Sequence, residues 1–237
     1  MLRRGGALLL IVGVVLAVIL IGAVATLVIH GREIPKKEAG PLEELGTFDA
    51  GAVVVREVVG DVQITEANVS GVVVKSNLPV NVSYSDGLLT VYCQRKSVRE
   101  LFRYRETNAC NEYVGGKVVI EVGKRLADVW VRETVGNVSV NVNATRLVFE
   151  DIVGDVSASA PAEYMIEDVV GDVSIRAEGD VTVKDVVGDV YISVPASFSV
   201  QLSVENIVGN VENTHPGSGK PVLVRISHVI GDVKIGQ

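Results

Sequence analysis

One phrase recurs along this chain and limits what it can fold into. It reads VVGDVQI at 58–64, TVGNVSV at 134–140, IVGDVSA at 152–158 and VVGDVSI at 169–175. It returns as VVGDVYI at 186–192, IVGNVEN at 207–213 and VIGDVKI at 229–235. The glycines, Gly60, Gly136, Gly154, Gly171, Gly188, Gly209 and Gly231, are spaced by 76, 18, 17, 17, 21 and 22 residues. Gly before Asp or Asn is turn chemistry, because Gly tolerates positive φ and the short polar side chain caps the turn. After each turn, Val62, Val138, Val156, Val173, Val190, Val211 and Val233 alternate with Gln63, Ser139, Ser157, Ser174, Tyr191, Glu212 and Lys234. That is the period-2 pattern of a strand with one buried and one solvated face. A unit is therefore read as two strands of about five residues and two turns. The gap of 76 residues has room for about four degenerate units, with GVVVKS at 71–76, GLLTVYC at 87–93 and GKVVIEV at 116–122 as remnants.

Two all-β arrangements carry such a repeat. In a repetitive, β-helix-like β-solenoid each unit is one coil, and like residues stack about 4.8 Å apart. In the alternative, an antiparallel β-meander or sandwich, each Gly-Asp is a hairpin turn. The solenoid rewards identity between successive units, whereas a meander does not need it. From residue 48 onward it has room for about ten coils, a rod of about 50 Å. Composition agrees with sheet. Val supplies 50 of 237 residues, and β-branched side chains lose χ1 freedom in helices but suit a pleated surface. That excludes a helical bundle, and the high hydrophobicity excludes disorder.

The first 29 residues point to a membrane. Ala7 to Ile29 is a run of 23 residues without a charge, about 35 Å as a helix, enough for a hydrocarbon core of about 30 Å. It is longer than the h-region of a cleaved signal peptide, which is the rival reading. The expected organisation is a cytoplasmic stub 1–6, a transmembrane helix 7–29, a linker 30–47 and an ectodomain 48–237 with an insertion at 94–115. The ectodomain is then extracytoplasmic on a single-pass cell-membrane anchor. A third reading comes from Arg3-Arg4-Gly5-Gly6 before the apolar run, which resembles the class III signal of prokaryotic type IV pilins and archaeal filament subunits. Net charge is −7, with +3 in residues 1–40 and so −10 in the remainder. An acidic domain repels phosphate backbones, so no nucleic-acid partner is expected.

A Val-rich chain with repeated GD-V-x-[VI] behind one N-terminal anchor resembles the prokaryotic "putative adhesin" domain of unknown function. The resemblance covers residues 48–237. It implies the repetitive β-fold and attachment at the cell surface, and it carries no activity.

Four kinds of site stand out. Cys93 and Cys110 bracket sixteen residues, and outside the cell such a pair reads as a disulfide, not as a metal site, which wants four ligands. Between them lie Arg95, Lys96, Arg99, Phe102, Arg103, Tyr104 and Arg105, a basic and aromatic patch on an acidic domain. It reads as a contact for acidic surface glycans, anionic headgroups or a protein neighbour, or else as a solvated helix face. Sequons at Asn68, Asn81, Asn137 and Asn143 are glycosylation candidates. A second polar column, Asp151, Asp168, Asp185, Asn206 and His228, sits three residues before each Gly. It reads as turn capping, and stacked carboxylates are also calcium chemistry. No metal or cofactor is expected.

Catalysis has little support, because Ser, His and Asp form no nucleophile arrangement. The reading is a non-enzymatic, membrane-anchored, adhesin-like or structural surface protein. The alternatives are a pilin-like filament subunit and a carbohydrate-active β-helix enzyme. The last repeat, VIGDVKIGQ, is expected to leave an open strand edge, which invites head-to-tail self-association by strand addition.

Overall fold

The computed structural model describes residues 36–100, 103–215 and 217–237. The expected stub 1–6, the apolar span 7–29 and residues 30–35 of the linker lie outside the described residues. Among the described residues no helix is long and apolar enough to cross a membrane.

Lys37–Gln237 form one compact all-β unit. From the second repeat on, each repeat supplies one long strand and one short one. The long strands are Leu126–Val135, Ala144–Val153, Glu163–Val170, Val181–Val187, Phe198–Val208 and Lys220–Ile230. The short strands are Val138–Asn141, Val156–Ala160, Val173–Ala177, Val190–Ser193, Val211–Asn213 and Val233–Gly236. The first repeat supplies Ala52–Arg56 and Asp61–Glu66. The two strands of a repeat are therefore unequal, where the sequence suggested an even pair. Long strands collect in an open nine-stranded sheet and short strands in an open ten-stranded sheet.

Within each sheet successive repeats pair in parallel and in register. Val156 lies between Val138 and Val173, and Val190 between Val173 and Val233. In the long sheet Phe149 lies between Val131 and Ile166. The inward rows of both sheets meet in one core. Val173, Ile166, Val169 and Val190 are completely buried, while Ser174 between them faces solvent.

The polar column three residues before each Gly has a backbone cause. Glu57, Glu133, Asp151, Asp168, Asp185, Asn206 and His228 all have φ between 52° and 56°, the left-handed region in which Asp, Asn and His are enriched. Each breaks the alternation once. Glu150 and Asp151 both face outward, and Ile152 returns to the core. Because every repeat breaks at the same level, the strands stay in register.

The turn that follows is built for stacking. Gly171 has φ +146°, and a Cβ there would stand 2.3 Å from the Gly154 carbonyl oxygen of the neighbouring repeat. Beside it runs a ladder of side-chain caps. Asp61 Oδ1 accepts from the Asn137 N–H at 3.0 Å, Asn137 from Asp155, Asp155 from Asp172 and Asp172 from Asp189. The Asp and Asn thus satisfy the next repeat's amide as well as shaping their own turn.

Chain order fails to predict spatial order in two places. First, Asp61–Glu66 pairs directly with Val138–Asn141, so the 76-residue gap does not stack about four units between the first and second repeats. The intervening chain builds one end of the stack instead. Lys117–Val122 and Leu88–Cys93 each add one more parallel strand. Val72–Ser76 with Glu43–Phe48, and Val80–Ser85, then close that end with antiparallel strands. Ten strands at about 4.8 Å span about 43 Å, shorter than the rod expected. Residues 43–47, expected as the end of the linker, belong to the edge strand Glu43–Phe48.

Second, the last two repeats are exchanged. Val233–Gly236 lies between Val190–Ser193 and Val211–Asn213, and Lys220–Ile230 lies between Val181–Val187 and Phe198–Val208. The C-terminal repeat is therefore interior, and the expected open edge at VIGDVKIGQ is paired on both sides. The repeat at 198–213 is outermost. Its composition gives the reason. At the level where Ile192 and Ile235 are buried it carries Asn213, which is exposed. An amide enclosed there without partners would cost about 1–3 kcal/mol, and at the end of the stack it is solvated.

Candidate binding face

The insertion is a hairpin, not the helix face that was one reading of it. Arg95–Glu100 pairs antiparallel with Arg103–Asn108, and the short 3-10 helix Ala109–Glu112 follows. Cys93 and Cys110 form a disulfide with Cα atoms 5.9 Å apart, and both are buried. Closing a loop of this length stabilises the fold by about 3 kcal/mol on the chain-entropy model. Peptide mapping without reductant is expected to recover Cys93 linked to Cys110. Two alkylatable thiols in the oxidised protein would contradict the bridge.

The hairpin is tied to the stack through Glu57. Its carboxylate accepts from Arg95 at 3.0 Å and from Arg56 at 2.6 Å, and its carbonyl accepts from the Asn108 amide at 2.6 Å. Lys96 donates to Glu112 at 2.8 Å, which holds the Glu112 carboxyl below the usual carboxylate range and raises Lys96. Two members of the expected basic patch, Arg95 and Lys96, are thus neutralised within the chain. Arg99, Arg103, Tyr104 and Arg105 lie in the paired strands of the hairpin, and Phe102 lies outside the described residues.

Asn68, Asn137 and Asn143 are exposed, and Asn81 is half-buried in strand Val80–Ser85. Asn137 also serves the cap ladder through Oδ1. The column of Asp168, Asp185, Asn206 and His228 lines an open corner groove of about 560 Å³ with Val170, Val187 and Ile230. His228 Nε2 lies 3.1 Å from the Asn206 amide nitrogen. Among the described residues no three His, Cys, Asp or Glu side chains converge on a metal position.

The outer face of the long sheet holds a cluster that sequence reading missed. In-register pairing puts Thr90, Val54, Trp130, Val148, Met165 and Thr182 in one outward row. The next row along the strands is Tyr92, Arg56, Arg132, Glu150, Glu167 and Lys184. The Arg56 guanidinium lies 4.8 Å from the centre of the Tyr92 ring, and Arg146 lies 5.7 Å from that of Trp130. Arg146 Nε also donates to Asp128 at 2.7 Å. Met165 is 46% exposed. Arg132 Nε is buried and has no hydrogen-bond partner among the described residues. A depression of about 180 Å³ opens beside Trp130, Arg146, Glu150 and Met165. Farther along the same outward row stand Thr182, Arg225 and Ser203.

Such a surface binds by stacking and forked hydrogen bonds. An indole gives a flat apolar platform, and guanidinium groups hold carboxylates in a fixed geometry. The signal in the sequence was the single Trp of the chain flanked two residues on by Arg. Its partners Tyr92, Arg56, Arg146 and Met165 come from four other strands, so only the register unites them.

No protein-family model matches this chain, and no curated protein matches it. Solved structures resemble it at low identity. One is a "putative cell adhesion protein" from Clostridium sporogenes, 13% identical, with 83% of this chain and 98% of that one covered at a TM-score of 0.45. Another is a "putative adhesin" from Bacteroides fragilis, 13% identical, with 85% and 98% covered at a TM-score of 0.41. A "putative lipid binding protein" from Parabacteroides distasonis is 14% identical, with 82% and 96% covered at a TM-score of 0.28.

Proposed function

We propose that this chain is a non-enzymatic, adhesin-like surface protein whose long-sheet face binds acidic glycans. Its two-sheet stack is a β-solenoid standing off the membrane on the apolar segment 7–29. The observation that carries the binding reading is the Trp130 cluster, a stacking platform on a solvent face with Arg132 in the next row and with Arg56 and Arg146 paired to Glu57 and Asp128. Depth is not needed, because a polysaccharide lies along a sheet instead of entering a cavity. The anchor reading rests on 23 uncharged residues, and the sequons suit the same exterior compartment.

Trp130 is the only Trp, so its intrinsic fluorescence reports on this face directly. Titrating the full chain in detergent with oligogalacturonate is expected to shift the emission, and a neutral oligosaccharide is expected not to. Arg132→Gln should weaken the acidic ligand about tenfold, the value of one charge-assisted hydrogen bond of about 1.5 kcal/mol or more. An unchanged spectrum, or equal affinity in the variant, would sink the proposal. The filament alternative is separated by the intact mass of the native protein. An anchor begins at Met1 or Leu2, whereas a processed pilin begins at or beside Gly6.

A further inference from the structure

The two ends of the stack are chemically different. One end is closed by the antiparallel strands Glu43–Phe48 and Val80–Ser85, and it lies beside the entry of the chain at Lys37. The other end is the repeat at 198–213, and among the described residues no strand pairs beyond it. In the sheet orders Phe198–Val208 and Val211–Asn213 are both terminal, so each carries a row of backbone N–H and C=O groups without strand partners.

Side chains there repeat the signal. Val204 and Val211 occupy the core-facing rows, in register with Ile226 and Val233. Ile226 and Val233 are 2% and 1% exposed, yet Val204 and Val211 are 42% and 41% exposed. The core therefore runs open at this end. Natural edges are blunted with Lys, Pro, bulges or brevity. The strand FSVQLSVENIV is eleven residues long, has no Pro or Lys, and carries one charge, Glu205.

We infer that this end is a two-fold interface with a second copy of the chain, in which Phe198–Val208 pairs antiparallel with itself across the axis. The strand is self-complementary. In the register centred on Leu202, Leu202 meets its own counterpart, Val200 meets Val204 and Gln201 meets Ser203. Ser199 then faces Glu205, so no like charges are opposed. An axis perpendicular to the long sheet carries the short sheet across as well, where Glu212 is already paired with Lys234 at 3.5 Å. The contact is large enough. Eleven residues at about 3.3 Å give about 36 Å of width, and two sheets with their outer side chains are about 20 Å deep. That is about 700 Å² per copy, close to the 800 Å² per partner of a standard specific interface. A two-fold contact also closes, so it gives a dimer and not a fibre. Since the open end lies away from Lys37, the dimer would join copies that enter the stack from opposite sides.

Sedimentation of the full chain in density-matched detergent at tens of micromolar is expected to give a dimer. Val204→Lys should give a monomer with an unchanged melting temperature and circular dichroism, because Val204 is already half exposed. Gln201→Cys with Ser203→Cys should cross-link two copies under mild oxidation and go no further. A monomeric parent, a dimer that survives Val204→Lys, or a cross-linked ladder beyond two copies would each overturn the inference. None of these readouts depends on glycan binding.

Discussion

Gly171→Ala is expected to lower the melting temperature by about 10 °C or more. Two penalties combine. At φ +146° an L side chain is strained, which costs about 1–3 kcal/mol. The new Cβ would also stand 2.3 Å from the Gly154 carbonyl oxygen, backbone that cannot swing aside. Relief requires separating two repeats, and that breaks the 3.0 Å bond from the Asp172 N–H to Asp155 Oδ1. A total of about 4 kcal/mol is consistent with the upper tail of single substitutions, and at about 2–4 °C per kcal/mol for a domain of this size it gives the stated shift. Gly115→Ala isolates the strain. Its φ is +68° with nothing within 4 Å, so a loss of about 1 kcal/mol is expected from conformation alone. Thermal unfolding of both variants by circular dichroism decides the matter. If the two lose equal stability, close stacking at the glycine column is not what requires Gly.

Val173→Asp is expected to abolish folding or to cost several kcal/mol, whereas Ser174→Asp is expected to stay within about 0.5 kcal/mol of the parent. Val173 is completely buried between Val156 and Val190. A carboxylate there has no partner and must either stay charged in the core or take up a proton. Ser174, one residue on, is exposed, and its in-register neighbours are Ser157 and Tyr191. Urea unfolding of the pair tests the inward-outward alternation directly. Equal damage from both substitutions would contradict it.

Most of the repeat was legible because its causes are local. Gly before Asp or Asn marks a turn whether or not the neighbouring repeat is known, and Val alternating with Ser marks the buried side. The disulfide was legible because the two cysteines of the chain, bracketing sixteen residues, are too few for a four-ligand metal site. The Trp130 cluster was not legible. Trp130 gains significance only when Arg56, Tyr92, Arg146 and Met165 arrive from other strands, and no short spacing relates them. The left-handed corner was half visible. The Asp, Asn and His members of the column stood out as a pattern, while Glu57 and Glu133 share its geometry without the residue types that advertise it.

The order of the last repeats shows where the division falls. Spacings of 21 and 22 in place of 17 did not say which repeat would lie against which. The sequence by itself determined the unit, its turn, its two faces and its demand for a like neighbour, since each follows from backbone preference and side-chain polarity within one repeat. Only the tertiary structure decided which repeat lies against which. Backbone pairing is nearly the same for any two repeats, so the choice falls to small differences in burial across the stack. Asn213 at a core-facing level makes 198–213 the repeat that loses least by remaining outermost, and Ile235 makes 220–236 the one that gains most by being enclosed.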